Sequence, residues 1–173
     1  MAVVVMAPAL WYVFRRERFG KFWSISQHAA AHRDTTVALG AGMLAAAAFL
    51  AIYFQQYLIP KYDYGWPMRV ALWTSIACCV LLALVPHYDS RWQGRVHVFI
   101  SWVMVVLMPS VLLLHSLHTF GNVSSLVAAM GICLQLSLLG IFYGVKGMYE
   151  KFALLQSIFI MVYLLSLGII GYM

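Results

Sequence analysis

TVALGAGMLAAAAFLAIYFQQYLI, residues Thr36 to Ile59, is a run of 24 residues without one charged side chain. At a rise of about 1.5 Å per residue a helix of that length reaches about 36 Å, enough to cross a hydrocarbon layer of roughly 30 Å. Asp34 and Thr35 are helix-capping residue types just ahead of the run, and Pro60 is expected to close it. Ala38, Gly42 and Ala46 recur at every fourth position, the small-xxx-small spacing that lets helix backbones approach closely in lipid. The stretch therefore reads as a transmembrane helix with a packing face.

Four further runs downstream read the same way. Pro67, at the favoured first position, opens one that extends to Val85 before Pro86. Val96 to His115 is the next, with Pro109 expected to kink it. Gly121 and Asn122 then break the chain ahead of Val123–Val145, and a short basic loop precedes Phe152–Tyr172. Between the first two spans, Tyr62, Tyr64 and Trp66 suit an aromatic belt at a membrane interface. Arg69 lies in the first turn of the following helix, where its long side chain can snorkel to water. Upstream, Met1 to Phe14 carries no charge, yet it covers only about 21 Å. It is either the inner end of a first helix whose start lies outside the sequence or an interfacial segment, and the first reading is taken here. The expected fold is an all-α integral membrane helical bundle, residues 1–173 forming a single transmembrane helical domain with five full spans and a short, possibly truncated first one.

Composition agrees. Apolar residues make up 64% and charged residues 9%, and the mean hydropathy is +0.88, against roughly half apolar and a quarter charged in soluble domains. The formal charge of +6 fits loops beside anionic headgroups rather than a nucleic-acid partner, because no basic stripe runs along a polar helix. Cys78, Cys79 and Cys133 all fall in apolar runs with no zinc-like spacing, and are expected to be buried thiols. No basic stretch precedes the first apolar segment, as it would in a signal peptide.

Basic residues also give an orientation. Arg15, Arg16, Arg18, Lys21, Arg33, Arg91, Arg95, Lys146 and Lys151 lie in loops 15–34, 87–95 and 146–151, while the alternate loops hold only Lys61 and Arg69. That bias predicts the first set of loops to be cytoplasmic and the C-terminus to lie on the opposite side.

Two polar stretches then share the cytoplasmic face. SISQHAAAHRD, Ser24 to Asp34, is one and PHYD, Pro86 to Asp89, is the other, with His97 opening the fourth long helix close by. The candidate polar cluster is Ser24, Ser26, His28, His32, His87, Asp89 and His97, with Asp34 at its edge. His28 and His32 are four apart, so one helical face would present both. Such groups can bind a metal or act as an acid–base pair, but no HExxH-type signature joins ligands to a base. The reading taken is a lipid-headgroup or structural cluster, with no catalytic residue and no metal assigned. At the other end of the fourth helix His115 and His118 share a face, as haem ligands would. No other apolar run holds a facing histidine, so no haem or other cofactor is predicted. Among midplane polar groups Gln135 is the deepest, and it is expected to bond a neighbouring helix.

The pattern of Ser24, Ile25, Ser26, Ala29 and Ala30, followed by Pro86 and His97, resembles the DUF998 and Frag1/DRAM/Sfk1 group of six-helix membrane proteins. The chain departs from it in the short first helix and at His28, where an acidic or neutral residue would be expected. What the resemblance implies is a six-helix bundle linked to lipid handling or membrane regulation, with Ser24, Ser26 and His97 defining a shared polar site. The function expected is that of a non-catalytic polytopic membrane protein that binds lipid or serves as an accessory subunit among other membrane proteins. A metal-dependent hydrolase acting on lipid headgroups and a channel or transporter subunit are the alternatives.

Overall fold

The computed structural model describes residues 2–16, 24–85 and 91–173, and among these every regular element is helical. The helices are α1 (Ala2–Arg16), α2 (Ile25–Ala30), α3 (Arg33–Tyr53), α4 (Ile59–Tyr62), α5 (Trp66–Leu84), α6 (Arg91–His118), α7 (Val123–Gly144) and α8 (Phe152–Tyr172). Five stretches are long and apolar enough to cross a membrane: Arg33–Tyr62, Trp66–Leu84, Trp92–His118, Val123–Gly144 and Phe152–Tyr172. The 15-residue α1 is not among them. Lipid-sized side chains face outward along these helices; Ile52, Phe99, Val106, Leu126 and Leu136 are each between 54% and 69% exposed. A water-soluble bundle hides such residues, so this outer surface suits an apolar surrounding.

Successive long helices pack side by side, α3 on α5, α5 on α6, α6 on α7 and α7 on α8. α8 then closes back onto α6, α1 and α2. The interior is filled by residues such as Phe54, Leu58, Leu72, Leu112, Leu167 and Ile170, all essentially inaccessible. A second cluster joins Met6, Leu10 and Val13 of α1 to Leu39 and Ala46 of α3 and to Ala153 of α8. In the small-residue repeat, Gly42 and Ala46 are buried and Ala38 is half-buried.

Pro60 does not close α3 as expected. The helix widens into a π turn over Phe54–Leu58, in which the Ile59 amide bonds the Phe54 carbonyl, and it continues through Pro60 to Tyr62. A proline in a regular helix collides with the carbonyl four residues back, and one wider turn relieves that conflict. Asp63, in the left-handed region at φ 45°, ends the element instead. The extension carries Lys61 and Tyr62 to the end of α8, where Tyr53, the last residue of α3, also reaches it. There the Tyr53 hydroxyl donates to the Leu167 carbonyl (2.7 Å), Tyr62 to Ile170 (2.8 Å) and Lys61 to Gly171 (2.8 Å). The last four carbonyls of a helix have no partner of their own, so the bonds from Tyr62 and Lys61 finish α8, and Tyr53 adds a second bond to a carbonyl one turn earlier.

Three other expectations need correction. α6 starts at Arg91 rather than Val96 and runs on to His118, because the polar turn ahead of the apolar run is itself helical. Tyr64 belongs to no interfacial belt: it is 1% exposed and turned into the bundle, whereas Trp66 is 77% exposed. Of the three free cysteines Cys78 is buried, but Cys133 lies on the outside of α7.

Candidate functional site

Ser24 begins the site by starting α2. Its backbone is extended, its hydroxyl accepts from the Gln27 amide (3.2 Å), and the Gln27 side chain accepts in return from the Ser24 amide (3.2 Å). This reciprocal cap needs a serine and a glutamine three apart, and it supports a helix of only six residues. At the other end of α2, Thr35 and Thr36 donate to the Ala29 carbonyl at 2.7 and 2.8 Å. The same two hydroxyls also reach the His32 carbonyl. The turn into α3 is thereby clamped, and α2 is held between α3 and α8.

Ser26, in the first turn of α2, meets His97 of α6 across 71 positions of sequence: its Oγ lies 2.6 Å from His97 Nε2. The other ring nitrogen, Nδ1, is 2.6 Å from the main-chain oxygen of Val85, which follows α5. A carbonyl can only accept, so Nδ1 carries the proton. In a neutral ring Nε2 then presents a lone pair, and the Ser26 hydroxyl donates to it. His97 is 6% exposed. Thus one histidine ties three helices together and fixes the direction of a serine proton.

This pair borders open space. A cavity of about 280 Å³ lies between α2, α6, α7 and α8, and Ser24, Ser26, Gln27, His97, Ser101 and Gln156 are the polar residues that line it. Trp102, Val105, Leu138, Phe142, Leu155 and Phe159 make up much of its apolar wall. Two smaller cavities of about 80 and 100 Å³ adjoin it, and Ser101 and Gln156 line all three. Gln156 Oε1 accepts from the Ile25 amide (3.3 Å), which assigns the oxygen of that side chain.

The remaining expected residues divide. His28 is fully buried beneath Phe14, ring centroids 5.3 Å apart, and its Nδ1 donates to the Ser24 carbonyl at 3.0 Å. His32 does not share a helical face with it, because α2 ends at Ala30 and His32 is the extended residue that starts α3. Asp34 does not cap α3 either; it lies in its first turn, where it accepts from Tyr12 (2.8 Å) and pairs with Arg16 (2.6 Å). His87 and Asp89 lie outside the described residues. Among the described residues, no group of three His, Cys, Asp or Glu side chains is placed to hold a metal ion.

Gln156, Ser101 and the Val85 carbonyl were not among the expected participants. Gln156 had a signal, a lone amide in the apolar run of α8, and so did the serine–glutamine cap at Ser24. The Val85 carbonyl had none, since a main-chain oxygen is invisible in a sequence.

At the far end of α6 His115 is fully buried, with Tyr64 bonded to its Nδ1 and Thr119 Oγ1 3.3 Å from its Nε2. His118 Nε2 donates to the Tyr62 carbonyl at 2.8 Å. Burial pushes the Tyr64 phenol well above its ordinary pKa, so it stays a neutral donor. Gln135, in α7, donates to the Phe159 carbonyl of α8 at 3.3 Å, a bond between neighbouring helices. Compared with family models, curated proteins and solved structures, the chain matches none of them.

Proposed function

We propose that this chain is a multi-pass membrane protein that binds a lipid, seating one acyl chain in the cavity between α2, α6, α7 and α8. The observation that carries the reading is the mixed lining of the cavity. Serine, glutamine and histidine side chains of α2, α6 and α8 stand among aliphatic and aromatic groups of α6, α7 and α8, which make up most of the lining. A lipid is likewise mostly apolar with a polar part.

Volume decides how much of the lipid is held. About 280 Å³ is near the lower edge of the roughly 300–1,000 Å³ usual for small-molecule sites. That suits one chain, with the headgroup beside the polar residues. Arg33 follows α2, and Arg91 and Arg95 precede His97 in α6, and these basic residues favour an anionic headgroup and the cytoplasmic leaflet. The resemblance to a group linked with lipid handling points the same way.

Purification in mild detergent followed by native mass spectrometry tests the reading. The wild type is expected to retain one lipid per chain. Leu138→Trp, which fills the apolar wall, is expected to lower occupancy at least fivefold without loss of helicity. Folded wild-type protein that carries no lipid and takes up none from mixed phosphatidylcholine–phosphatidylglycerol vesicles ends the proposal.

A further inference from the structure

Seating a lipid explains the cavity, but it does not require a histidine lone pair aimed at a serine hydroxyl. Four other serines on helices, Ser75, Ser101, Ser110 and Ser157, return their hydroxyls to the carbonyl four residues back, at 2.8 to 2.9 Å, while Ser116 and Ser125 bond each other between α6 and α7. Ser26 is in the first turn of α2, where its own helix offers no such carbonyl, and its proton goes to His97 instead.

We propose that Ser26 is the nucleophile and His97 the general base of an acyl-ester hydrolase whose substrate is the lipid seated in the cavity. The proposal rests on the lipid-binding reading above. Three parts of an acyl-transfer site meet at the cavity. The nucleophile and base are at hydrogen-bond distance, 2.6 Å. The base is oriented by a third group, the Val85 carbonyl at 2.6 Å, which holds the proton on Nδ1 and so places the lone pair on Nε2, the atom that meets Ser26. The Gln156 side chain lines the same cavity, and with its oxygen bonded by the Ile25 amide its NH₂ is the donor left for a developing oxyanion.

The chemistry balances with water as the only co-reactant. Ser26 Oγ bonds to the ester carbonyl carbon while its proton passes to His97 Nε2. As the tetrahedral intermediate collapses, the bond from carbon to the alcohol oxygen breaks, and that oxygen takes the proton from His97. Water then adds to the acyl-serine, His97 takes its proton, and the fatty acid departs as Ser26 regains its hydrogen. A carbonyl orients the ring but supplies no full negative charge to the imidazolium that forms.

An alkyl fluorophosphonate, which phosphonylates activated serines, supplies the test on full-length protein in phosphatidylcholine nanodiscs. One adduct per chain is expected, mapped by mass spectrometry to Ser26, and it should be absent in Ser26→Ala. His97→Gln should slow labelling about 100-fold, the lower range of a general-base contribution. A second measurement needs no variant: release of p-nitrophenolate from a long-chain p-nitrophenyl ester should stop in proportion to Ser26 modification. Wild-type protein that carries lipid but remains unlabelled at Ser26, or ester cleavage that survives full modification of Ser26, overturns catalysis and leaves lipid binding standing. Protein with neither lipid nor adduct overturns both.

Discussion

The two ends of α6 solve the same local problem in opposite ways. His97 and His115 are 18 positions apart, about 27 Å along the helix. Each is buried, and each has one ring nitrogen bonded to a hydroxyl from another helix or loop. At His97 the proton is on Nδ1 and the hydroxyl is Ser26, a short side chain at a cavity wall. At His115 the Thr119 hydroxyl is spent on a backbone carbonyl, so its oxygen accepts from Nε2 and Nδ1 receives the proton of Tyr64. The rings of Tyr62 and Tyr64 stand edge-on to that imidazole, and His115 lines neither of the two cavities that Ser26 borders. A histidine–hydroxyl bond by itself is therefore uninformative. What distinguishes the two is the space beside the hydroxyl, open at one end and filled by aromatic rings at the other.

The sharpest way to break this contrast is to remove each imidazole in turn. His97→Gln is expected to lower the rate of fluorophosphonate labelling about 100-fold, whereas His115→Gln should leave it within about twofold. Equal losses in the two variants, measured by adduct formation over time, would mean that both histidines act only through folding.

A second contrast concerns packing at the far end. A Cβ added to Gly171 would lie 1.6 Å from the Tyr53 hydroxyl, which bonds the Leu167 carbonyl of α8. Gly171→Ala should therefore destabilise the protein by about 1–3 kcal/mol, the usual range for overpacking. Tyr53→Phe in the same chain should recover part of that loss. The thermal transition followed by circular dichroism in detergent checks both, and a neutral Gly171→Ala would show that this end is less tightly closed than its contacts imply.

Smaller effects are expected from the hydroxyl partners. Tyr64→Phe strands a buried imidazole nitrogen and should cost about 1–2 kcal/mol. Ser26→Ala leaves His97 Nε2 facing a cavity that can admit water, so the expected cost is below about 1 kcal/mol. Their order in the same thermal assay is the check: a larger loss for Ser26→Ala would make that pair the structural one.

Much of the helical layout was legible in the chain. The run from Val123 was read to within a residue of its observed end, and the last run coincided with α8, because uncharged stretches between glycine, proline and basic residues leave few other places to break. The extra turn of α6 and the passage through Pro60 were not legible. Both depend on how a polar or proline-bearing turn is received by its neighbours. Of the polar cluster, Ser24, Ser26 and His97 converge, while His32 and Asp34 turn away because α2 is only six residues long.

The sequence by itself determined an apolar, all-helical chain with five segments of spanning length. In a medium without water each backbone amide and carbonyl must be satisfied within its own segment, and helices do that locally. The tertiary structure alone decided which histidine faces a cavity and which hydroxyl faces a histidine. Those relations join residues 71 and 51 positions apart, and they follow from how α2, α6 and α8 are stacked rather than from any local pattern.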